Sequence, residues 1–163
     1  WAANMVGPVF MRIGRFKVPS VSQGQNPAFI PNKAMRIIDG NDISIIATGT
    51  LVSRAIAAAE QLKVEGISAR VINLSTVSPL DTTEILAAAR ETKAIITAEE
   101  AVTRGGAGGA IAEFVVQNHP VPMKLMGIDT FAPTGFASYL LEHYGLTADA
   151  ITAAARELLK NGR

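Results

Sequence analysis

A three-layer α/β/α domain on a five-stranded mixed sheet is the fold that this sequence predicts, and three observations carry the prediction. Ile43, Ile45 and Ile46 are β-branched and crowded together, as in a strand buried on both faces. After Thr48-Gly49-Thr50 the period changes: Val52, Ala55, Ile56, Ala59 and Leu62 fall at i, i+3, i+4, i+7 and i+10, the stripe of a helix lying on a core. Short apolar runs then alternate with helical stripes to the end of the chain. That succession demands a mainly parallel sheet with helices on its faces.

The chain has 163 residues, 48% of them hydrophobic and 18% charged, which suits a globular domain with a real core. Fifteen basic against fourteen acidic residues leave a net charge of +1, with no basic run, which argues against nucleic acid as a partner. The absence of cysteine removes disulfides, thiolate nucleophiles and sulfur-ligated metals, and fits a cytoplasmic setting. The longest uncharged apolar run, around Ile43 to Ser53, is far short of the ~20 residues of a membrane span, so no membrane partner is expected. Trp1-Ala-Ala-Asn-Met-Val-Gly-Pro has no basic segment leading into an apolar one, so it does not read as a signal peptide, and it lacks an initiator Met.

Residues 1 to 6 read as the last turn of a helix stopped by Gly7-Pro8. Val9, Phe10, Met11 and Ile13 read as a short strand that carries Arg12 and ends at Gly14-Arg15. One strand with a stub of helix cannot bury itself, so residues 1 to 15 are expected to be the end of another domain rather than an extra edge strand. Residues 16 to 33, with Pro19, Gly24, Pro27 and Pro31, have linker composition.

The main domain, 34 to 163, opens with a strand at Met35, Ile37 and Ile38. Asp39-Gly-Asn-Asp42 then reads as a hairpin turn that makes this first strand antiparallel to the Ile43 strand. Gly66 ends the first helix, and Ala69, Val71, Ile72 and Leu74 form the third strand. Asp81 and Glu84 fit the N-cap and N3 positions of a capping box, with Leu80 and Ile85 as a hydrophobic staple. Ala94 to Ala98 is the fourth strand, Ala110 to Gln117 a helix, and Met123 to Ile128 the fifth strand. Phe136 to Tyr144 reads as a helix stopped at Gly145. Thr147 caps a last helix whose Ile151, Ala154, Ala155, Leu158 and Leu159 share one face. Four strands are thus parallel and the first is reversed.

Chemistry is sparse. Gly105-Gly-Ala-Gly-Gly109 stands where a strand passes into a helix, the place where backbone N–H groups hold phosphate. It fits neither G-x-G-x-x-G, since Ile111 takes the third glycine's place, nor a P-loop. The plainer reading is that these glycines let the helix approach the sheet; an effector-binding loop is the other. Glu99-Glu100 lie at the end of a parallel strand, where α/β ligands bind. Adjacent carboxylates more often point to opposite sides, one capping and one solvated. His119 and His143 have no metal-ligand partner at useful spacing, and Ser22, Ser53, Ser75, Ser78 and Ser138 no nucleophile-elbow context.

Gly7-Pro-Val-Phe-Met-Arg-Ile-Gly-Arg15, Ile45-Ile-Ala-Thr-Gly-Thr50, Ala98-Glu-Glu with Gly105-Gly-Ala-Gly108, and Tyr144-Gly-Leu-Thr-Ala148 together resemble the C-terminal part of transketolases, closest to the separate C-terminal subunit of bacterial split transketolases. The resemblance implies the C-terminal portion of an enzyme that moves a two-carbon ketol unit between sugar phosphates in pentose phosphate metabolism. It implies thiamine diphosphate and Mg²⁺ in the complete enzyme, bound by parts outside this chain, and a partner in the form of an N-terminal subunit or preceding domains. It also implies assembly as a homodimer or heterotetramer. Residues 1 to 15 correspond to the end of the family's pyrimidine-binding domain. Arg15 corresponds to the arginine that contacts the sugar phosphate, a role that suits an always-charged fork. Arg12 receives no role, and no catalytic, cofactor or metal ligand is assigned in this chain, which is expected to be inactive by itself. Ala101 replaces a frequent histidine after the paired glutamates, and Asp129-Thr-Phe-Ala-Pro-Thr-Gly135 departs from Arg-Phe-Gly before the Ser/Thr-Gly pair. The alternative is an assembly module like the C-terminal domain of a 2-oxo acid dehydrogenase β subunit or of deoxyxylulose-phosphate synthase.

Overall fold

Five strands and five helices build the expected α/β/α sandwich in this computed structural model, which describes residues 1–14, 17–21 and 29–161. The strands are β1 (Met35–Ile38), β2 (Ile43–Ala47), β3 (Ala69–Asn73), β4 (Ile95–Val102) and β5 (Met123–Ile128), in spatial order β1-β3-β2-β4-β5. β2 lies parallel to β3 and β4, β4 parallel to β5, and β1 antiparallel to β3. The helices are α1 (Leu51–Val64), α2 (Thr82–Glu91), α3 (Ala107–Asn118), α4 (Ala137–His143) and α5 (Ala148–Asn161).

Every residue of β2 is buried because it is the central strand with a helical layer on each face. Its alternation sorts the core in two. Ile43 and Ile45 pack with α1 and α5 through Leu51, Ala55, Leu62, Ile151 and Ala155. Ile46 joins Ile72, Ile85, Ile95 and Ile111 on the side of α2 and α3. The stripe read for α1 is the buried one, with Leu51 and Ala58 added and Ile56 only half-buried. α5 is locked to α1 by Gln61, which donates to Asp149 at 2.8 Å and accepts from the Thr152 hydroxyl at 2.6 Å, and by an Arg156–Glu65 ion pair.

The hairpin expected at Asp39–Asp42 does not form. β1 pairs with β3, not with β2, so the turn carries the chain past β3 before β2 begins. Its passage is close: a β-carbon on Gly40 would stand 2.3 Å from the Ala69 carbonyl carbon. The physical reason is that the Gly/Asn/Asp composition permits a reversal without stating which strand lies alongside. β2 needs a neighbour on each side to satisfy its two edges, and β3, returning parallel after the α1 crossover, takes the place a hairpin would have given to β1.

The N-terminal expectations also change. The helix end at residues 1 to 6 is one 3₁₀ turn, Ala2–Asn4, and residues 8 to 14 form no strand. A strand requires a hydrogen-bonded neighbour, and the described chain places none beside this segment. Val6, Phe10, Met11 and Ile13 are exposed, Phe10 by 93%. Trp1 meets Phe29 edge-on with ring centroids 6.2 Å apart.

At α2 the cap is one-sided. Asp81 accepts from the Glu84 N–H at a long 3.4 Å, but the Glu84 carboxylate turns to Arg36 of β1 at 2.8 Å instead of returning to the cap. Asp81 spends its remaining capacity on the Ala34 N–H at 3.0 Å and Lys33 at 3.3 Å, tying the entry of the domain to α2. Burial pushes its pKa up, but the hydrogen bonds from Ala34, Glu84 and Lys33 outweigh this and hold it below the usual aspartate value. Leu80 and Ile85 join the same core cluster, as the staple predicts. Thr147 accepts from the Ala150 N–H at 3.2 Å, and Gly145 has the left-handed φ of 64° that stops α4.

Candidate functional site

The chain runs from β2 through α1 to β3 on one side, and from β4 through α3 to β5 on the other. The sheet therefore reverses its winding between β2 and β4, and the carboxyl ends of these two strands form the crevice where α/β proteins receive ligands. Thr48, Gly49 and Thr50 leave β2 there, and Glu99 and Glu100 lie at the corresponding end of β4.

β4 is longer than its sequence pattern indicated, and its end is bulged. Ala98 faces Met126 of β5 and Val102 faces Ile128, so four steps along β4 match two along β5. Gly127 of β5 lies against the bulge, where a β-carbon would come within 2.8 Å of the Ala101 carbonyl oxygen. A bulge re-aims side chains at the end of a strand. The pleat itself sends the two adjacent glutamates to opposite faces.

Glu99 points to the α3 face and is only 3% exposed. Its carboxylate accepts from the N–H of Ala107 at 2.8 Å and of Gly108 at 2.7 Å, the first two residues of α3. Two of the unpaired donors that open a helix are thereby satisfied, and the negative group sits at the positive end of the helix dipole. The glycines make this approach possible: a β-carbon on Gly106 would stand 2.2 Å from the Val102 carbonyl oxygen, and one on Gly108 2.4 Å from Thr97 Oγ1. The plainer reading of the glycine loop is the one the geometry carries, because the protein's own carboxylate fills the place a phosphate would take.

Glu100 points the other way and is half-buried. It accepts from the Thr50 hydroxyl at 2.6 Å, at the start of α1. Thr50 is the N-cap of α1 but closes no cap bond with its side chain; its carbonyl oxygen accepts from the Ser53 hydroxyl and from Arg54 Nη1 at 3.1 Å. The expectation for the paired carboxylates, one capping and the other turned outward, thus describes them, except that the outward one is held by a hydroxyl.

Gly14 lies beside Thr50, since a β-carbon on it would meet Thr50 Cγ2 at 3.9 Å. Arg15, the expected substrate-phosphate residue, lies outside the described residues, as does Ser22. Arg12 is exposed. His119 ends α3, and His143 ends α4 with its ring stacked 5.8 Å from Tyr139. Neither approaches the crevice glutamates through any hydrogen bond among the described residues. Sequence reasoning missed Thr50 as the partner of Glu100, for pairing across strands leaves no local signal.

Thiamine diphosphate with Mg²⁺ would need a diphosphate cradle and oxygen ligands for the cation. The only glycine-rich helix start among the described residues is occupied by Glu99, whose charge would repel a diphosphate. No group of three metal-ligating side chains occurs among the described residues. The described residues do not fit the cofactor.

The family model described as Transketolase, C-terminal domain, matches residues 32–151. The chain is 41% identical over 153 residues to a 6-deoxy-6-sulfo-D-fructose transketolase subunit of Clostridium sp. (strain MSTE9), covering 93% of this chain and 47% of that protein. It is 39% identical over 154 residues to an apulose-4-phosphate transketolase subunit of Phocaeicola vulgatus, with coverage of 94% and 49%. Its fold superposes with a TM-score of 0.84 and 35% identity on a solved structure described as "Split gene transketolase, inactive beta4 tetramer", covering 90% of this chain and 48% of that one. The chain therefore spans about half the length of these relatives.

Proposed function

We propose, from the premise that this chain belongs to the transketolase C-terminal domain family, that it serves as the C-terminal portion of a thiamine-diphosphate-dependent transketolase. The complete enzyme moves a two-carbon ketol unit between sugar phosphates. Cofactor and metal are held by an N-terminal subunit or domains, and this portion supplies assembly contacts and one substrate-phosphate residue, Arg15.

The observation that carries the reading is the contrast between residues 34 to 161, which bury their own core, and residues 5 to 14, which do not. Met5, Val6, Val9, Phe10, Met11 and Ile13 are all at least 40% exposed within one short segment. Exposed apolar side chains so concentrated belong against another surface. Residues 1–15 are accordingly the end of the pyrimidine-binding domain, and the partner that supplies its remaining strands covers them. The relatives named as transketolase subunits, and the tetramer formed by the solved one, support an assembly of several chains.

Reconstitution tests this directly. The complex with the N-terminal transketolase portion should convert xylulose 5-phosphate and ribose 5-phosphate, while this chain alone should not. Turnover by the isolated chain would end the proposal. In the complex, Arg15→Ala should weaken binding of the phosphorylated sugar by about 1.5–3 kcal/mol, the scale of a charged hydrogen bond. An unchanged KM would remove Arg15 from the site.

A further inference from the structure

The two helical layers of the sandwich show different things on their outer sides. α5 carries Asp149, Arg156, Glu157 and Lys160 among its 14 residues, as a helix facing water should. α3 has one charged residue, Glu113, among 12. A helix apolar nearly all round belongs between two surfaces, and the sheet supplies one of them. Ile111 and Val115 of α3 are buried in the core. Glu113 and Val116, three residues apart, stand on the opposite side, where Val116 is 65% exposed. Next to them a groove runs between α2 and α3, with Leu86, Ala87 and Phe114 half-buried and Arg90 on its rim.

The charges on this face select what covers it. Of the other acidic groups on the two helices, Glu84 is taken by Arg36 and Glu91 by Arg70. Arg90 and Glu113 are exposed, and neither makes an ion pair among the described residues. A patch that meets an identical copy across a two-fold axis must be its own complement, so each sign needs its opposite on the same patch. One cation and one anion beside an apolar groove satisfy that condition. A nucleic acid or an anionic membrane would call for cations alone.

We propose that the α2/α3 face is where a second copy of this chain docks, α3 against α3, with Arg90 of each copy meeting Glu113 of the partner subunit. Docking covers Val116 and closes the groove over Phe114. It also explains why α3 lacks the polar outer side that α5 has. A face two helices wide and about 15–18 Å long is smaller than the roughly 800 Å² per partner of a standard interface. Copies of the isolated chain should therefore pair reversibly, at concentrations on the order of 50 μM. The inference deepens the assembly reading above by naming the surface, and its readout is mass rather than turnover, so the two fail separately.

Sedimentation velocity of the chain, from about 5 to about 500 μM, tests it. The mass should move from one chain toward two as concentration rises. Glu113→Arg and Arg90→Glu each set like charges across the axis and should weaken pairing by about tenfold or more. The double variant Arg90→Glu/Glu113→Arg exchanges the signs and should pair as the original chain does. Val116→Asp should abolish pairing. Unchanged urea midpoints in these variants separate lost pairing from lost folding. A single-chain mass at every concentration overturns the proposal. Pairing that ignores all of the substitutions places the contact elsewhere and overturns it too, and a double variant as weak as either single one removes the two-fold arrangement. If the chain stays single but binds the N-terminal transketolase portion, and Val116→Asp abolishes that binding, the occupant is the other portion and the second copy is excluded.

Discussion

The amino ends of α3 and α1 face each other across the sheet, served by neighbouring glutamates, and they are finished in opposite ways. α3 is closed: Glu99 is buried, takes two backbone N–H groups, and is walled in by glycines that admit no β-carbon. α1 is open: Thr50 makes no side-chain cap, and its hydroxyl goes to the half-buried Glu100. α2 stands between, capped by Asp81 from within its own chain segment. A helix start that looks like a phosphate site can thus be a finished structural joint, while the first N–H groups of α1 turn to the carbonyl oxygens of Thr48 and Gly49 and leave the Thr50 hydroxyl for Glu100.

That contrast is strongest at Glu99. Glu99→Ala leaves two N–H groups of α3 without their acceptor in a buried place and should lower stability by about 3 kcal/mol, read as a shift of the urea midpoint. An unmoved midpoint would mean that α3 is not held by this carboxylate. Gly108→Ala should cost about 2 kcal/mol, because the added methyl overlaps Thr97 Oγ1, the far end of a short buried side chain with little room to yield. Thermal unfolding of the purified variant measures it.

Asp81 gives an intermediate effect with a pH signature. Its pKa is held down in the folded state, so the unfolded chain binds more protons at acid pH and stability rises with pH through that window. Its contribution is fully present above the ordinary aspartate value of about 3.9 and disappears as pH falls through the depressed folded value. Asp81→Asn should therefore cost about 1 kcal/mol at pH 6 and much less at pH 2.5, compared by denaturant titration at both. A penalty equal at both pH values would contradict the ionic cap. The smallest effect belongs to the open end: Thr50→Val should change stability by no more than about 0.5 kcal/mol, since the hydroxyl and its partner both remain near water. A loss as large as that of Glu99→Ala would erase the distinction between the two helix starts.

Much of this architecture is legible without coordinates. The crowding of Ile43, Ile45 and Ile46 states that their strand is buried on both faces, and all three are. The stripes of α1 and α5 name the residues that meet in the core. These signals are local, because a helix or strand shows its period within a few turns of chain. The Asp39–Asp42 turn shows the limit of such reading. Its residues allow a reversal, but the strand that lies beside β1 is decided by β3, some thirty residues on. Glu84 teaches the same lesson at smaller scale, since Arg36 of β1 draws away the side chain that would have completed the capping box.

The amino-acid order alone determined the layering, the periods of the elements, the glycine loop as a joint of close approach, and the resemblance to the transketolase C-terminal domain. Only the tertiary structure decided the strand order, the bulge at the end of β4, and the meeting of Glu100 with Thr50. The reason is physical: periodicity and turn chemistry act between residues close in the chain, whereas pairing register and side-chain partners are settled by segments that become neighbours only when the core closes.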